Sequence, residues 1–197
     1  MTYEQLIAAI SDWTHRADLA TPAPTFLQLA EGKLSRLLKL SQFSTSVDLT
    51  FLAGSSSAEL PTDYLEGRSL VGSDGDWTQK TPEQLSRLRA VGSSDKSYAI
   101  YGGSVHLPFE VGSDTTLTLH YWQRIPELTS SDPTNWLSEN AADVYLWTAL
   151  AFAATYAKNM QAAMEYEARA QGAIAELRSA DQSATWFAAS LSADYVV

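Results

Sequence analysis

The stretch Asp132–Leu177 reads DPTNWLSENAADVYLWTALAFAATYAKNMQAAMEYEARAQGAIAEL. From Val144 to Ala157 it is apolar nearly all round, with Trp147, Leu150, Phe152 and Tyr156 set among alanines. A helix of that pattern is enclosed by protein rather than half wetted. The run has about 14 residues, short of the roughly 20 that cross a bilayer. Asp143 and Lys158 bracket it, so it reads as a buried core helix. From Met160 the pattern changes. Ala163, Tyr166, Ala170, Ala173 and Leu177 recur at steps of three and four, and Glu165 and Arg169 make an i,i+4 pair on the other face. A buried helix followed by an amphipathic one is the spine of a helical bundle, and the remaining chain must supply its cover.

Two more helices precede it. Thr2 caps the first, with Gln5 as its capping-box partner, and Leu6, Ile10, Trp13 and Ala17 form one face. The second carries Leu27, Ala30, Leu34 and Leu37, with Leu38 beside them and Lys33, Arg36 and Lys39 in its last turns. Gly32 inside it suggests close helix packing. The expected spans are Tyr3–Asp18, Thr25–Leu40, Asp143–Ala157 and Met160–Ser179, with Trp147 buried against the first pair near Trp13 or Leu34. Between the pairs the period falls to two. Val47, Leu49 and Phe51 alternate with polar residues, as do Leu117, Leu119 and Tyr121. Tyr64–Val71 reads as a strand, and Ser97–Tyr101 and Ser104–Pro108 as a hairpin about Gly102–Gly103. Gly54–Pro61 and Gly72–Asp76 read as turns. Thr81, Pro82 and Gln84 open a short helix to Ala90.

The fold class is therefore α+β: a helical bundle with an inserted β-rich region and an extended C-terminal tail. The division is 1–42 for the N-terminal hairpin of the bundle, 43–131 for the β-rich insert, 132–180 for the C-terminal helices and 181–197 for a docking tail. That tail has no Lys or Arg but carries Trp186, Phe187, Leu191 and Tyr195. These are the interface candidates, since large apolar groups left in water are a liability.

The 197 residues hold 23 Asp plus Glu against 13 Lys plus Arg, a formal net charge of -10, which disfavours nucleic acid and anionic lipid over most of the surface. There is no cysteine, which excludes disulfides, thiolate metal sites and a cysteine nucleophile. No Sec-type signal peptide is expected. His15, His106 and His120 lack ligand spacing, and His120 is expected as a partly buried, hydrogen-bonded side chain. The acidic Gly72–Asp76 turn lacks the spacing of a calcium loop. No nucleotide-binding or nucleophile motif occurs, so neither a metal nor a cofactor is expected. Glu139 and Asp143 could serve as an acid–base pair of a cell-wall glycan hydrolase. Against that, Asp143 suits the start of the buried helix, where the dipole favours an anion.

Several segments in order carry a resemblance: WTHRADL (Trp13–Leu19), LxLAEGKLSRLL (Leu27–Leu38), LPTDYL (Leu60–Leu65), YAIYG (Tyr98–Gly102), LxLHYWxRIPxL (Leu117–Leu128) and NWLSENAADVYLWxAL (Asn135–Leu150). Together they resemble the head-to-tail adaptor (connector) proteins of tailed bacteriophages, especially short-tailed ones. Members commonly place a proline where this chain has Ala142. The resemblance implies a homo-oligomeric ring, usually a dodecamer, beneath the portal protein. A tail nozzle or fibre protein docks below, and DNA passes through the channel without specific binding. It implies a virion neck or tail location, host cytoplasm during assembly, no membrane and no catalytic residues. The glycan hydrolase and a monomeric binding module remain as other readings, separable by mass in solution.

Overall fold

The computed structural model describes the backbone of residues 1–193 and the side chains of residues 1–184. In chain order the elements are α1 (Tyr3–Thr14), α2 (Ala23–Leu37), β1 (Ser44–Phe51), β2 (Ser57–Glu59), β3 (Tyr64–Gly72), β4 (Gly75–Gln79), α3 (Pro82–Ala90), β5 (Ser97–Tyr101), β6 (Ser104–His106), β7 (Thr115–Gln123), α4 (Trp136–Asn140), α5 (Ala142–Tyr156) and α6 (Met160–Ala193). They form two compact units. One is helical, Met1–Ser41 with the chain from Ile125 onward, and the other is β-rich, Gln42–Arg124. This is an α+β architecture, a helical bundle with an inserted β-rich region.

In the helical unit α5 is the centre. Val144, Tyr145, Leu146, Thr148, Ala149, Leu150, Ala151, Ala153 and Ala154 are all buried, positions that circle the helix and leave no polar face. Helices α1 and α2 cover it from the N-terminal side of the chain and α4 and α6 from the other. Its alanines let neighbours approach: Ala149 and Ala153 pack with Ile10, Leu19, Ala23, Phe26 and Ala30. Thr148 sits fully enclosed because its hydroxyl donates to the Val144 carbonyl at 2.7 Å. The chain start is tied down too: the Met1 amine donates to the Ser138 carbonyl, and the Tyr3 N–H to the Pro133 carbonyl at 2.8 Å.

Trp147 meets Trp13 as expected but is not fully buried. It is half-buried and lies at the rim of the bundle, meeting Trp13 edge to face at 4.9 Å and stacking on Tyr166 at 6.1 Å, with the Arg169 guanidinium 5.1 Å from its ring. Tyr145, not Trp147, is the fully buried aromatic of α5. Arg169 thus lies over Trp147, while Glu165 accepts from Gln161 at 3.4 Å. The helix ends that differ most are those of α1 and α6, while α2 runs Ala23–Leu37. Helix α1 stops at Thr14, where His15 adopts a left-handed cap (φ 51), and Ala17–Leu19 is a separate 3₁₀ turn. Helix α6 continues to Ala193, since the alanine-rich sequence beyond Ser179 holds no Gly or Pro to end it. Tyr195 lies outside the described residues, and of Trp186, Phe187 and Leu191 only the helical backbone is described.

The β unit is one sheet ordered β1-β7-β3-β4-β5-β6-β2. Pairings are antiparallel except β4 with β5, which are parallel across the α3 crossover. The end strands β1 and β2 also touch, so the sheet curls towards a barrel around Phe51, Leu70, Tyr98, Val105, Leu107 and Leu119. The strand β2 falls inside the stretch expected to be only turn, and β4 follows the Ser73–Asp74 turn. Both are short and carry little apolar alternation. Gly102 and Gly103 have φ of 60° and 79°, the primed turn that a tight hairpin needs. His120 is exposed, not partly buried, because Leu119 and Tyr121 on either side of it take the interior face of β7.

Gly32 marks no close packing. A methyl built there meets only the Arg36 Nη1 atom, at 3.7 Å. Gly32→Ala is therefore expected to stabilise the protein by about 0.5–1 kcal/mol through helix propensity. Urea unfolding checks it, and a destabilised variant would reveal a contact at that position.

Candidate functional site

Among the described residues, an open apolar surface of the helical unit lies where α2, α5 and the first turns of α6 meet. Periodicity builds it. Phe26 and Leu29 are three apart on α2, Phe152 and Tyr156 four apart on α5, and Met160 and Met164 four apart on α6. The connection between α5 and α6 is tight: Lys158 takes a left-handed conformation (φ 58), and the Asn159 side chain accepts the Ala162 N–H at 3.2 Å. Two open grooves result. One, of ≈ 400 Å³, is lined by Ala151, Phe152, Thr155, Ala163, Met164, Glu167, Ala168 and Gln171. The other, of ≈ 430 Å³, is lined by Pro22, Thr25, Phe26, Leu29, Phe152, Thr155 and Tyr156. Phe152 and Thr155 belong to both, so the grooves form one surface. Exposure is high for such residues, at 49% for Leu29, 62% for Tyr156 and 72% for Met164.

The polar content of this face is small and already paired. Lys33 Nζ lies 2.6 Å from both Glu167 oxygens and 5.9 Å from the Phe152 ring. Its hydrogen bond holds the Glu167 carboxyl below the usual range. Gln171 donates to the same carboxylate at 3.1 Å. Apolar area rimmed by a satisfied ion pair is a composition that protein contacts share. Methionine adds adaptability to such a surface.

A second polar cluster is buried. Glu31 is 5% exposed on α2. Its carboxylate accepts the Leu128 N–H at 2.8 Å and faces the Tyr145 hydroxyl. Asn135 Nδ2 donates to Tyr145 Oη at 2.8 Å and to the Pro126 carbonyl at 2.7 Å, while Asn135 Oδ1 caps α4 by accepting from the Ser138 N–H at 2.9 Å. The Ser35 hydroxyl accepts the Ile125 N–H at 3.3 Å. Three polar side chains thereby hold the irregular segment Ile125–Asn135 on α2 and α5. Desolvation, with the Glu127 charge adding to it, raises Glu31 to about 7, although the Leu128 N–H pulls the other way. Burial likewise drives Tyr145 upward. A perturbed carboxyl is the kind of group catalysis uses. This one has its acceptor capacity engaged by backbone and tyrosine inside the core, so its work is structural. The signal for it was present in the sequence: Glu31 follows Leu27 by four and precedes Leu34 by three, a charge at a core phase.

Glu139 and Asp143 are both exposed and line neither apolar groove. Asp143 stands in the first turn of α5, in keeping with a role at the helix start. His15 and His120 are exposed, and His106 stacks on Tyr101 at 3.9 Å. Among the described residues no group of three His, Cys, Asp or Glu is placed to hold a metal ion, and no helix is long and apolar enough to cross a membrane.

The model of the SU10 adaptor protein family matches residues 1–193. The chain belongs to the SU10 adaptor protein family. That membership agrees with the adaptor resemblance and makes the protein a structural adaptor of a phage particle in general terms. No curated protein matches the chain. The SU10 adaptor match spans both the helical and the β-rich unit.

The pH dependence of Glu31 has a definite sign. Its folded-state value lies above the ordinary one of 4.5, so the folded protein keeps the proton to higher pH than the unfolded chain. Stability is fully present below the unfolded value and declines as pH rises through about 7, by on the order of 3 kcal/mol at most. Glu31→Gln keeps the shape and an acceptor for the Leu128 N–H without the charge. It is expected to match the parent within about 1 kcal/mol at pH 5 and to exceed it at pH 8. Urea titrations at both pH values test this, and a variant weaker than the parent at pH 8 would contradict it.

Proposed function

We propose that the protein is the ring adaptor between a phage portal and the tail nozzle, closing around the DNA channel. The family match over residues 1–193 carries this reading, and the uncovered apolar face of the helical unit supports it as a site for contacts between copies. Contacts that join two different surfaces of one chain either close into rings or run on as filaments. A neck requires the ring, and twelve copies is the number implied by the family resemblance. The acidic excess fits a channel through which DNA must slide, since negative surface repels phosphate. In this reading a portal protein lies above, a nozzle or fibre protein below, and the residues Trp186, Phe187, Leu191 and Tyr195 serve assembly. The protein is then a virion neck component with no enzymatic step.

Native mass spectrometry of the purified protein, alone and mixed with its portal, tests the proposal. The expected result is one closed oligomer of a single stoichiometry. A monomer under both conditions would overturn it. Deleting Ser183–Val197 should leave the far-ultraviolet spectrum of a folded protein, because the described contacts of α6 with the rest of its unit reach Asp181, which accepts from the Ser41 N–H at 3.0 Å. The same deletion should abolish incorporation into portal-containing particles. Full incorporation without those residues would remove them from the assembly surface.

A further inference from the structure

The apolar face and the end of α6 raise one question of geometry. Helix α6 is 34 residues long, which at 1.5 Å per residue is about 51 Å, whereas the 15 residues of α5 cover about 22 Å. The far end of α6 is anchored near Asp181 by Ser41, and the Arg178 guanidinium donates to the Leu37 carbonyl. Beyond that, Gln182, Ser183 and Ala184 are exposed. From Gln182 to Ala193 the sequence QSATWFAASLSA contains no charged residue and includes Trp186, Phe187 and Leu191.

The groove beside Met164, Ala168 and Gln171 is lined by the opposite end of the same helix. A continuous helix rises about 22 Å between Gln171 and Trp186 and about 35 Å between Met164 and Phe187. It cannot turn its own C-terminal end back into its own groove. Any C-terminal segment that fills the groove must come from another molecule.

We propose that the α2–α5–α6 groove of each copy receives the C-terminal end of α6, around Trp186, Phe187 and Leu191, from an adjacent copy of this chain. The inference rests on the ring reading and names the contact that would join its subunits. Three features favour this occupant. The segment is uncharged and apolar, matching a groove whose one charged pair, Lys33 with Glu167, is already satisfied within the subunit. The contact joins two different surfaces, so it propagates from copy to copy in one direction, the head-to-tail arrangement that a ring needs. An aromatic pair such as Trp186 and Phe187 is also the residue type that anchors interfaces in enclosed pockets.

The chain has no cysteine, so engineered disulfides report contacts without background. Met164→Cys is combined in turn with Trp186→Cys, Phe187→Cys and Leu191→Cys, and the assembled protein is oxidised. A disulfide needs Cα atoms within about 7 Å, so the length of α6 forbids one inside a single copy. The expected result is a ladder of covalently linked multimers for at least one pairing and none for any single variant. Leu29→Asp, at an exposed position, should leave the monomer folded yet weaken association at least tenfold. An intact closed oligomer with no ladder in any pairing and undiminished association of Leu29→Asp would overturn the groove assignment and leave the ring reading standing. Cross-linking of the 186, 187 or 191 cysteine to the portal, and not to position 164, would also overturn it. Absence of any oligomer, with or without portal, would remove the ring reading and this inference with it.

Discussion

An apolar helix with no polar face cannot fold alone, and α5 is such a helix. Most of its surface must be covered, and the cover comes from both ends of the chain: α1 and α2 from the first 41 residues, α4 and α6 from the last part. The helical unit therefore closes only when segments separated by the whole β-rich insert have met. The cost of that closure grows slowly with the length of the intervening chain, so a long insert is tolerated. What it demands is a firm attachment where the chain re-enters the helices.

The buried polar cluster supplies that attachment. Ile125–Asn135 has irregular backbone apart from its capping contacts, and its amides and carbonyls need partners wherever water is excluded. Ser35, Glu31 and Asn135 provide them. An apolar core could bury the segment without such groups, but it would not specify where along α2 the chain lies. Satisfied buried networks select one arrangement because each partner left unmatched is penalised. Burial raises Glu31, so this specificity is expected to carry a stability cost at neutral pH.

Much of this was legible in the residues. The switch of period from about 3.6 to two and back located the helices and the longer strands, and the Thr2–Gln5 and Thr81–Gln84 pairs marked helix starts that the structure shows as complete capping boxes. The all-round apolar run announced the enclosed helix. The structure differs where sequence pattern carries no distance. The strands β2 and β4 are too short for alternation to register, and their pairing is decided by the neighbouring strands β6 and β3. Trp147 sits on a helix enclosed nearly all round, yet it lies at the rim with Trp13 and Tyr166, a distinction that an all-apolar run cannot show because it has no polar face to set the phase. The α2–α5–α6 face was invisible because its residues lie on three separate segments. Phe152 and Tyr156 read as core, and only the fold shows that part of their surface has no partner within the helical unit.

The claim beneath all of this is that α5 is the last element of the helical unit to lose its structure. Native-state hydrogen exchange measures it directly, residue by residue, because amides released only by global unfolding share the global free energy. The account predicts that the amides of Val144–Ala154 exchange most slowly in the helical unit and all with one free energy equal to that from denaturant unfolding. It would be contradicted if those amides exchanged through a local opening of lower free energy while α1 and α2 stayed protected, since α5 would then be a cover on the bundle and not its centre.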